Sequence, residues 1–165
     1  MLTKLEIELL VNEYPFLWPT HVYGDLLGKK VEDFDYSYCE LSHLPEGWIR
    51  SFIPEFLVEL KKLLIKYNLL DTYFVVTARD QAGYFYWLGN HTNQEIRDLI
   101  SKYSKKVSNY CYVCGSPNVI YRSTWNRNLC YCCAHDDFNA MQKTVDYPLD
   151  FNEEYELLYF PSKIS

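Results

Sequence analysis

Two matched pairs of cysteines lie in the last third of this 165-residue chain. Cys111 and Cys114 form the first pair, Cys130 and Cys133 form the second, and fifteen residues separate the pairs. A CxxC pair places two sulfurs on one tight turn, and two such pairs can surround a zinc ion with four thiolates at about 2.3 Å. We therefore predict that these four cysteines bind one Zn2+ ion.

The predicted zinc is structural, because four protein ligands fill a tetrahedral site and leave no position for water or substrate. The six cysteines could instead form disulfides, but four of them lie in CxxC pairs and no export signal is evident. A reducing cytosol favours metal-bound thiolates over disulfides. Of the two remaining cysteines, Cys39 is expected to be a buried thiol, and Cys132 is expected to lie outside the ligand set.

Composition indicates a soluble, folded protein of the cytoplasm. The chain is 48% hydrophobic and 18% aromatic, which is enough to form a core at this length. No run approaches the roughly 18 apolar residues of a membrane span, and the N-terminus lacks the basic and then apolar pattern of a signal peptide. We expect no membrane partner.

The pattern of apolar residues predicts an α+β fold, with helices packed on a small antiparallel hairpin or sheet. A turn at Gly83 between two aromatic and β-branched segments predicts a hairpin over residues 72–88. Apolar periodicity predicts three helices, at residues 2–11, 48–68 and 93–108. Thr92 is expected to cap the third of these helices, in a capping box with Glu95.

The cysteine region is predicted to be a treble-clef-like finger. Gly115 lets the backbone turn so that amides face the sulfurs, and a short hairpin should follow over 119–129. A helix beginning near Cys130 would point its positive end at the thiolates. The predicted organisation is an α+β core domain at 1–108, a zinc-binding finger at 109–145 and an acidic, aromatic tail at 146–165, with an edge strand near 155–160.

Several of these segments together resemble a family of small zinc-containing proteins encoded by phages and prophages. The shared features are Pro45-Glu-Gly-Trp48, the strand pair turning at Gly83, Cys-x-x-Cys-Gly, and Leu129-Cys-x-x-Cys-Ala134. Family members tend to carry lysine, phenylalanine and arginine around the hairpin glycine, whereas this chain has Arg79-Asp-Gln-Ala-Gly83. The resemblance implies a phage origin, a location in the host bacterial cytoplasm and a fold shared with the family, but it implies no activity.

Charge is distributed unevenly, although the formal net charge is -6. Residues 97–127 contain six basic residues and one acid, whereas residues 128–165 contain two basic residues and seven acids. These segments could form two different surfaces, or they could fold against each other and cancel.

We predict a non-enzymatic protein that binds a host or phage macromolecule, for example in counter-defence or host takeover. The first candidate partner is a basic protein, because tyrosines beside acids form a negative, aromatic face. The residues expected to bind it are Asp33, Asp35, Tyr36, Tyr38, Glu153 and Glu154. The alternative interpretation of the many tyrosines is that they fill the core.

Nucleic acid is the alternative partner, since cations beside aromatic rings can hold phosphates and stack on bases. The residues expected to bind it are Lys102, Lys105, Lys106, Arg122, Trp125 and Arg127. A degenerate HNH-type nuclease is a third possibility, because that fold also uses two CxxC pairs. It needs a histidine as general base on the hairpin, and residues 121–126 contain none, which leaves His135 on the following helix without a partner.

Overall fold

The computed structural model describes residues 2–21, 24–144 and 149–158, which contain six α-helices and five β-strands. The helices are α1 (Lys4–Glu13), α2 (Glu46–Ser51), α3 (Ile53–Lys66), α4 (Gln94–Lys106), α5 (Tyr131–Gln142) and α6 (Phe151–Glu154). The strands are β1 (Val75–Gln81), β2 (Tyr84–Gly89), β3 (Tyr121–Ser123), β4 (Asn128–Leu129) and β5 (Tyr155–Leu157). An antiparallel β1–β2 pair and a three-stranded sheet of order β4-β3-β5 confirm the α+β prediction.

The predicted long helix at 48–68 is divided into α2 and α3. Helix α2 ends at Ser51 and α3 begins at Ile53, with Pro54 in its first turn. Proline is tolerated in a first turn because the amide it lacks would have no partner there. The apolar stripe of α3 then faces the core as expected, through Ile53, Phe56, Leu57, Leu60 and Leu64.

The predicted capping box at Thr92 is wrong by one residue. Asn93 caps α4, and its side-chain oxygen accepts a hydrogen bond from the Ile96 amide at 2.9 Å. Asparagine is a strong N-cap by itself. The Glu95 carboxylate, the expected second member of the box, instead accepts hydrogen bonds from the Lys66 ammonium at 2.6 and 2.7 Å. A tertiary ion pair therefore replaces the local contact.

Aromatic rings fill the space between α3, α4 and the β1–β2 hairpin. The Phe56 ring lies 4.8 Å from Trp87, 5.2 Å from Phe85 and 5.3 Å from Tyr103, measured between centroids, in edge-to-face contacts. Pairs of this kind contribute about 0.5–1.5 kcal/mol beyond the burial of their area. Part of the high aromatic content is thus explained by the core.

The cysteine segment, residues 109–142, packs against α2 through the backbone of Gly47. The Gly47 amide donates a hydrogen bond to the Tyr112 carbonyl at 3.1 Å. A β-carbon at Gly47 would lie 2.1 Å from the Cys111 carbonyl oxygen and 2.7 Å from the Gly115 nitrogen. Beside this contact, the rings of Trp48 and Tyr112 meet edge-on, with centroids 5.7 Å apart. The two backbones approach more closely than any side chain would allow.

A second contact joins the β1–β2 turn to the β3–β4 turn. Gly83 has a φ of +83°, and a β-carbon there would lie 2.2 Å from the Asn126 carbonyl oxygen. The Asp80 carboxylate accepts hydrogen bonds from the Gly83 amide at 2.7 Å and from the Tyr112 hydroxyl at 3.1 Å. Glycine therefore lies at both places where the cysteine segment meets the hairpin and α2.

The predicted domain boundaries are not tested by these contacts and stay predictions. Residues 145–148 and 159–165 of the predicted tail lie outside the described residues, and its described part contributes β5, which pairs with β3. None of the described helices combines the length and apolar character that a membrane crossing requires.

Replacing Gly47 with alanine should destabilise the protein by about 1–3 kcal/mol, because the added methyl group collides with the cysteine segment. In an ordinary helix a change from glycine to alanine stabilises the protein by about 0.5–1 kcal/mol. The sign of the change in the free energy of unfolding therefore shows whether the close contact exists. Urea unfolding measures the difference. Arg50→Ala, on the exposed surface of the same helix, is the control and should change stability by less than about 0.5 kcal/mol. A Gly47→Ala variant as stable as the parent would contradict the docking contact.

Candidate metal centre and the surfaces around it

Four cysteine sulfurs from the two predicted pairs come together in the cysteine segment. The sulfurs of Cys111, Cys114, Cys130 and Cys133 all lie within 4.8 Å of one another, and those of Cys114 and Cys130 are 3.7 Å apart. In a tetrahedral site with metal–sulfur bonds of about 2.3 Å, neighbouring sulfurs are about 3.8 Å apart. The cluster therefore has the size and the donor atoms to hold a metal ion.

Local backbone structure sets the position of each pair. The Gly115 amide donates to the Cys111 carbonyl at 2.9 Å, which closes the first turn, and Gly115 has a φ of +78° that favours glycine. The β3–β4 hairpin then returns the chain, and the Tyr112 amide donates to the Asn128 carbonyl at 2.7 Å. Cys130 occupies the N-cap of α5, so the second pair lies at the positive end of that helix.

Burial and neighbouring groups shift the pKa values of three of these cysteines. Burial raises the pKa of Cys130 and of Cys133, and the charge of Cys111 raises both further. Burial also raises the pKa of Cys111, but hydrogen bonds from the backbone amides of Cys114, Cys130 and Val113 outweigh it and the net shift is downward. A divalent cation would stabilise all four thiolates together, since coordination deprotonates a thiol.

The other two cysteines lie where the sequence predicts. Cys39 is fully buried, and burial raises the pKa of its thiol. Cys132 is exposed on α5 and lies outside the cluster of four. Cys132 is therefore adjacent in sequence to Cys133 of the cluster, but its side chain is exposed and lies outside the cluster.

The structure packs His135 among aromatic rings. Its ring stacks on Phe151 with centroids 4.5 Å apart and lies 4.2 Å from the Tyr131 ring. Throughout residues 2–21, 24–144 and 149–158, no side-chain hydrogen bond or ion pair joins a histidine to another residue. The arrangement resembles a packed helix face more than a general base.

The structure divides the six residues predicted to bind nucleic acid into two groups. Lys102 and Lys106 on α4 form ion pairs with α3, to Glu59 at 2.7 Å and to Glu55 at 2.6 Å. These carboxylates therefore neutralise two of the four basic residues on that helix, and they belong to α3 and not to the acidic C-terminal part of the chain.

The second group remains available to a ligand. Lys105, Arg122 and Arg127 form no ion pair with any described residue. Arg127 lies over the Tyr112 ring at 4.9 Å. Trp125, at the turn between β3 and β4, is 74% exposed. Trp125 and Arg127 are the sequence neighbours of Asn126, which contacts Gly83 in the other turn.

The acidic residues near the N-terminus are partly engaged within the protein. Asp35 pairs with Lys4 at 2.9 Å. Tyr36 is half-buried, and its ring lies 4.8 Å from Phe34. Asp33 and Tyr38 are exposed.

Glu153 and Glu154 lie on α6, next to the β3–β4 turn, where the Thr124 amide donates to the Glu154 carbonyl at 3.1 Å. No hydrogen bond, ion pair or ring contact among the described residues joins them to Asp33, Asp35, Tyr36 or Tyr38. The acidic residues thus form two groups, one in the loop before α2 and one beside the cysteine segment.

No protein-family model, curated protein or solved structure matches this chain. The comparisons thus support no family relationship, phage-related or otherwise. The four-cysteine cluster is the part of the predicted resemblance that the structure confirms.

Sequence reasoning did not identify Gly47 as a part of the metal centre's support. The available signal was a glycine inside a helical segment, because glycine is unfavourable there and is usually kept for a packing or functional reason. Nor did the sequence connect Tyr84 or Asn128 with the basic residues, because only the fold brings the two turns together.

The pKa of Asp35 tests the contacts that this carboxylate makes with Ser37 and Lys4 in the loop before α2. Hydrogen bonds from Ser37, and then from Lys4, lower the pKa of this carboxyl to about 2. Since this pKa is below the usual value of 3.8, its stabilising contribution is present above about pH 4 and lost as pH falls toward 2. Carbon NMR of the carboxyl should give a midpoint near pH 2, and Ser37→Ala and Lys4→Ala should each raise it. An unshifted midpoint in the parent protein would contradict these contacts.

Proposed function

We propose that this chain is a non-enzymatic binding protein in which Cys111, Cys114, Cys130 and Cys133 hold one structural Zn2+ ion. The observation that carries the proposal is the cluster of four sulfurs within 4.8 Å. Zinc is the preferred ion, because tetrahedral sites with four sulfur ligands are typical of zinc or of iron and structural zinc sites are commonly of this type.

We infer that the finger is treble-clef-like. Three elements occur in the required order: a turn closed at Gly115, the β3–β4 hairpin, and α5 beginning directly after Cys130. In this arrangement the metal would join the first turn to the start of α5. Because the first turn packs on Gly47, the ion would also fasten the cysteine segment to α2.

The absence of enzymatic activity is part of the proposal. Four cysteine ligands leave a structural ion no open position for substrate. The stacking of His135 on Phe151 also argues against a role as the general base of an HNH-type nuclease. The phage setting, with counter-defence or host takeover in the host cytoplasm, rests on the sequence resemblance alone.

Between the two candidate partners, the placement of side chains favours nucleic acid over a basic protein. In the group before α2, Asp35 is paired with Lys4 and Tyr36 packs on Phe34. Around the β3–β4 turn, by contrast, Arg122 and Arg127 have no ion-pair partner among the described residues and lie near the exposed Trp125 in sequence. The net charge of -6 would confine nucleic acid to this local surface.

Metal analysis of the purified protein should find one zinc ion per chain. Cys111→Ser and Cys130→Ser should each abolish stoichiometric zinc and unfold the cysteine segment, because structural zinc supplies about 10–16 kcal/mol of apparent binding free energy. Elemental analysis by mass spectrometry and near-ultraviolet circular dichroism measure the two effects.

Cys132→Ser is the matched control for these variants and should keep both the metal and the fold, since this cysteine lies outside the cluster. Retention of the fold by a zinc-free Cys111→Ser variant would contradict a structural role. Iron instead of zinc in the parent protein would contradict the identity of the metal.

A further inference from the structure

A polar cleft lies where the β1–β2 turn, the end of α4 and the β3–β4 hairpin meet. Its volume is about 90 Å³. A single water needs only about 10–15 Å³ of such space, so a group of the size of phosphate fits. The polar side chains that line the cleft are those of Tyr84, Ser104, Ser108, Arg122, Asn126 and Asn128.

The cleft contains hydrogen-bond donors that have no acceptor among the described residues. Asn128 is only 6% exposed, and its side-chain oxygen accepts a hydrogen bond from Arg122 Nε at 3.4 Å. That contact orients the amide, whose nitrogen has no hydrogen-bond partner among the described residues. The remaining guanidinium nitrogens of Arg122 likewise have no acceptor there. Neither donor is fully buried, because Thr20 Oγ1 is the only fully buried side-chain nitrogen or oxygen without a partner among the described residues. Both donors are therefore accessible to solvent, and a guanidinium beside an amide is suited to bind an anion.

The other groups around the cleft do not fill this role. The hydroxyls of Ser104 and Ser108 donate to the carbonyls of Phe85 at 3.0 Å and Lys105 at 3.1 Å. Glu156 lies opposite Arg122 in the β3–β5 register, yet no ion pair joins them. Together with Glu153 and Glu154, it lines the far side of Arg122 and restricts where a negatively charged ligand can lie.

Two exposed aromatic rings flank the cleft. Tyr84 is 66% exposed and Trp125 is 74% exposed. Each is adjacent in sequence to one residue of the Gly83–Asn126 contact, so the two rings extend from the same junction. Neither ring has a ring or cation contact with another described residue. Their faces are free to stack.

We propose that this junction binds single-stranded nucleic acid. Arg122 and Asn128 hold one backbone phosphate, while Tyr84 and Trp125 stack on unpaired bases, which a duplex would not present. The proposal rests on the proposed zinc site only because that site holds the two walls of the cleft together. Exposed Lys105, on the last turn of α4, adds a positive charge that has no ion-pair partner in the described part of the chain.

Fluorescence anisotropy with the full-length, zinc-bound protein tests this inference. The probes are a labelled oligothymidine of about 12 nucleotides and a duplex of the same length. The single strand should bind more tightly, and its affinity should fall as salt rises from about 50 to 200 mM. Trp125→Ala should weaken binding by about 5- to 100-fold, whereas Trp125→Phe should retain most of it.

Charge variants test the phosphate contact. Arg122→Gln should weaken binding by about 10- to 100-fold and reduce the salt slope by about 0.7–1. Glu156→Gln should strengthen binding, because it removes a negative charge beside Arg122. Lys62→Gln removes the same charge as Arg122→Gln from the exposed surface of α3, and it is the control that should leave affinity almost unchanged.

Three results would overturn the inference. The first is an Arg122→Gln variant that binds the oligonucleotide as tightly as the parent protein. The second is a duplex that binds as tightly as the single strand or more tightly. The third is a protein that binds small anions, shown by inorganic phosphate displacing a chromogenic anion, but does not bind the oligonucleotide. Zinc is measured in each variant. A variant that loses oligonucleotide binding but keeps its zinc identifies an effect on the cleft. A parent protein without zinc contradicts the proposed metal site, whether or not it binds the oligonucleotide.

Discussion

The contact between Gly47 and the first cysteine turn is the constraint on which the arrangement of this protein depends. A β-carbon at Gly47 would lie 2.1 Å from the Cys111 carbonyl oxygen, so this glycine has the space for only a hydrogen atom. The edge-to-face contact of Trp48 with Tyr112 and the hydrogen bond from Tyr112 to Asp80 extend the interface to the β1–β2 hairpin. The four-cysteine cluster and the packing of the core are therefore physically connected.

This connection gives the proposed zinc a role beyond the stability of a small finger. An ion that binds only the folded cysteine segment stabilises it by linkage, and the same segment forms one side of the interface with α2 and of the polar cleft. Formation of the cleft requires the second contact, between Gly83 and Asn126, to persist. The metal would thus support a surface on which it does not itself lie.

The aromatic residues lie in two environments that composition cannot separate. Phe56, Phe85, Trp87 and Tyr103 pack against one another in the core, where their area contributes to folding. Trp125 and Tyr84 are instead exposed on turns. Of the two interpretations that the sequence allowed, the packing of rings in the core is observed. The prediction of a negative, aromatic face for a basic protein is not tested by these placements and stays a prediction.

Local chemistry allowed the sequence by itself to determine the four-cysteine cluster, the apolar face of α3, the β1–β2 hairpin and the helix after Cys130, since spacing and periodicity act over a few residues. The sequence did not determine the cap of α4, because a distant lysine competes for Glu95. Nor did it determine that Lys102 and Lys106 are neutralised while Arg122 forms no ion pair within the described part of the chain. Only the tertiary structure decided these features, because the partners that distinguish them come from elements far apart in the chain.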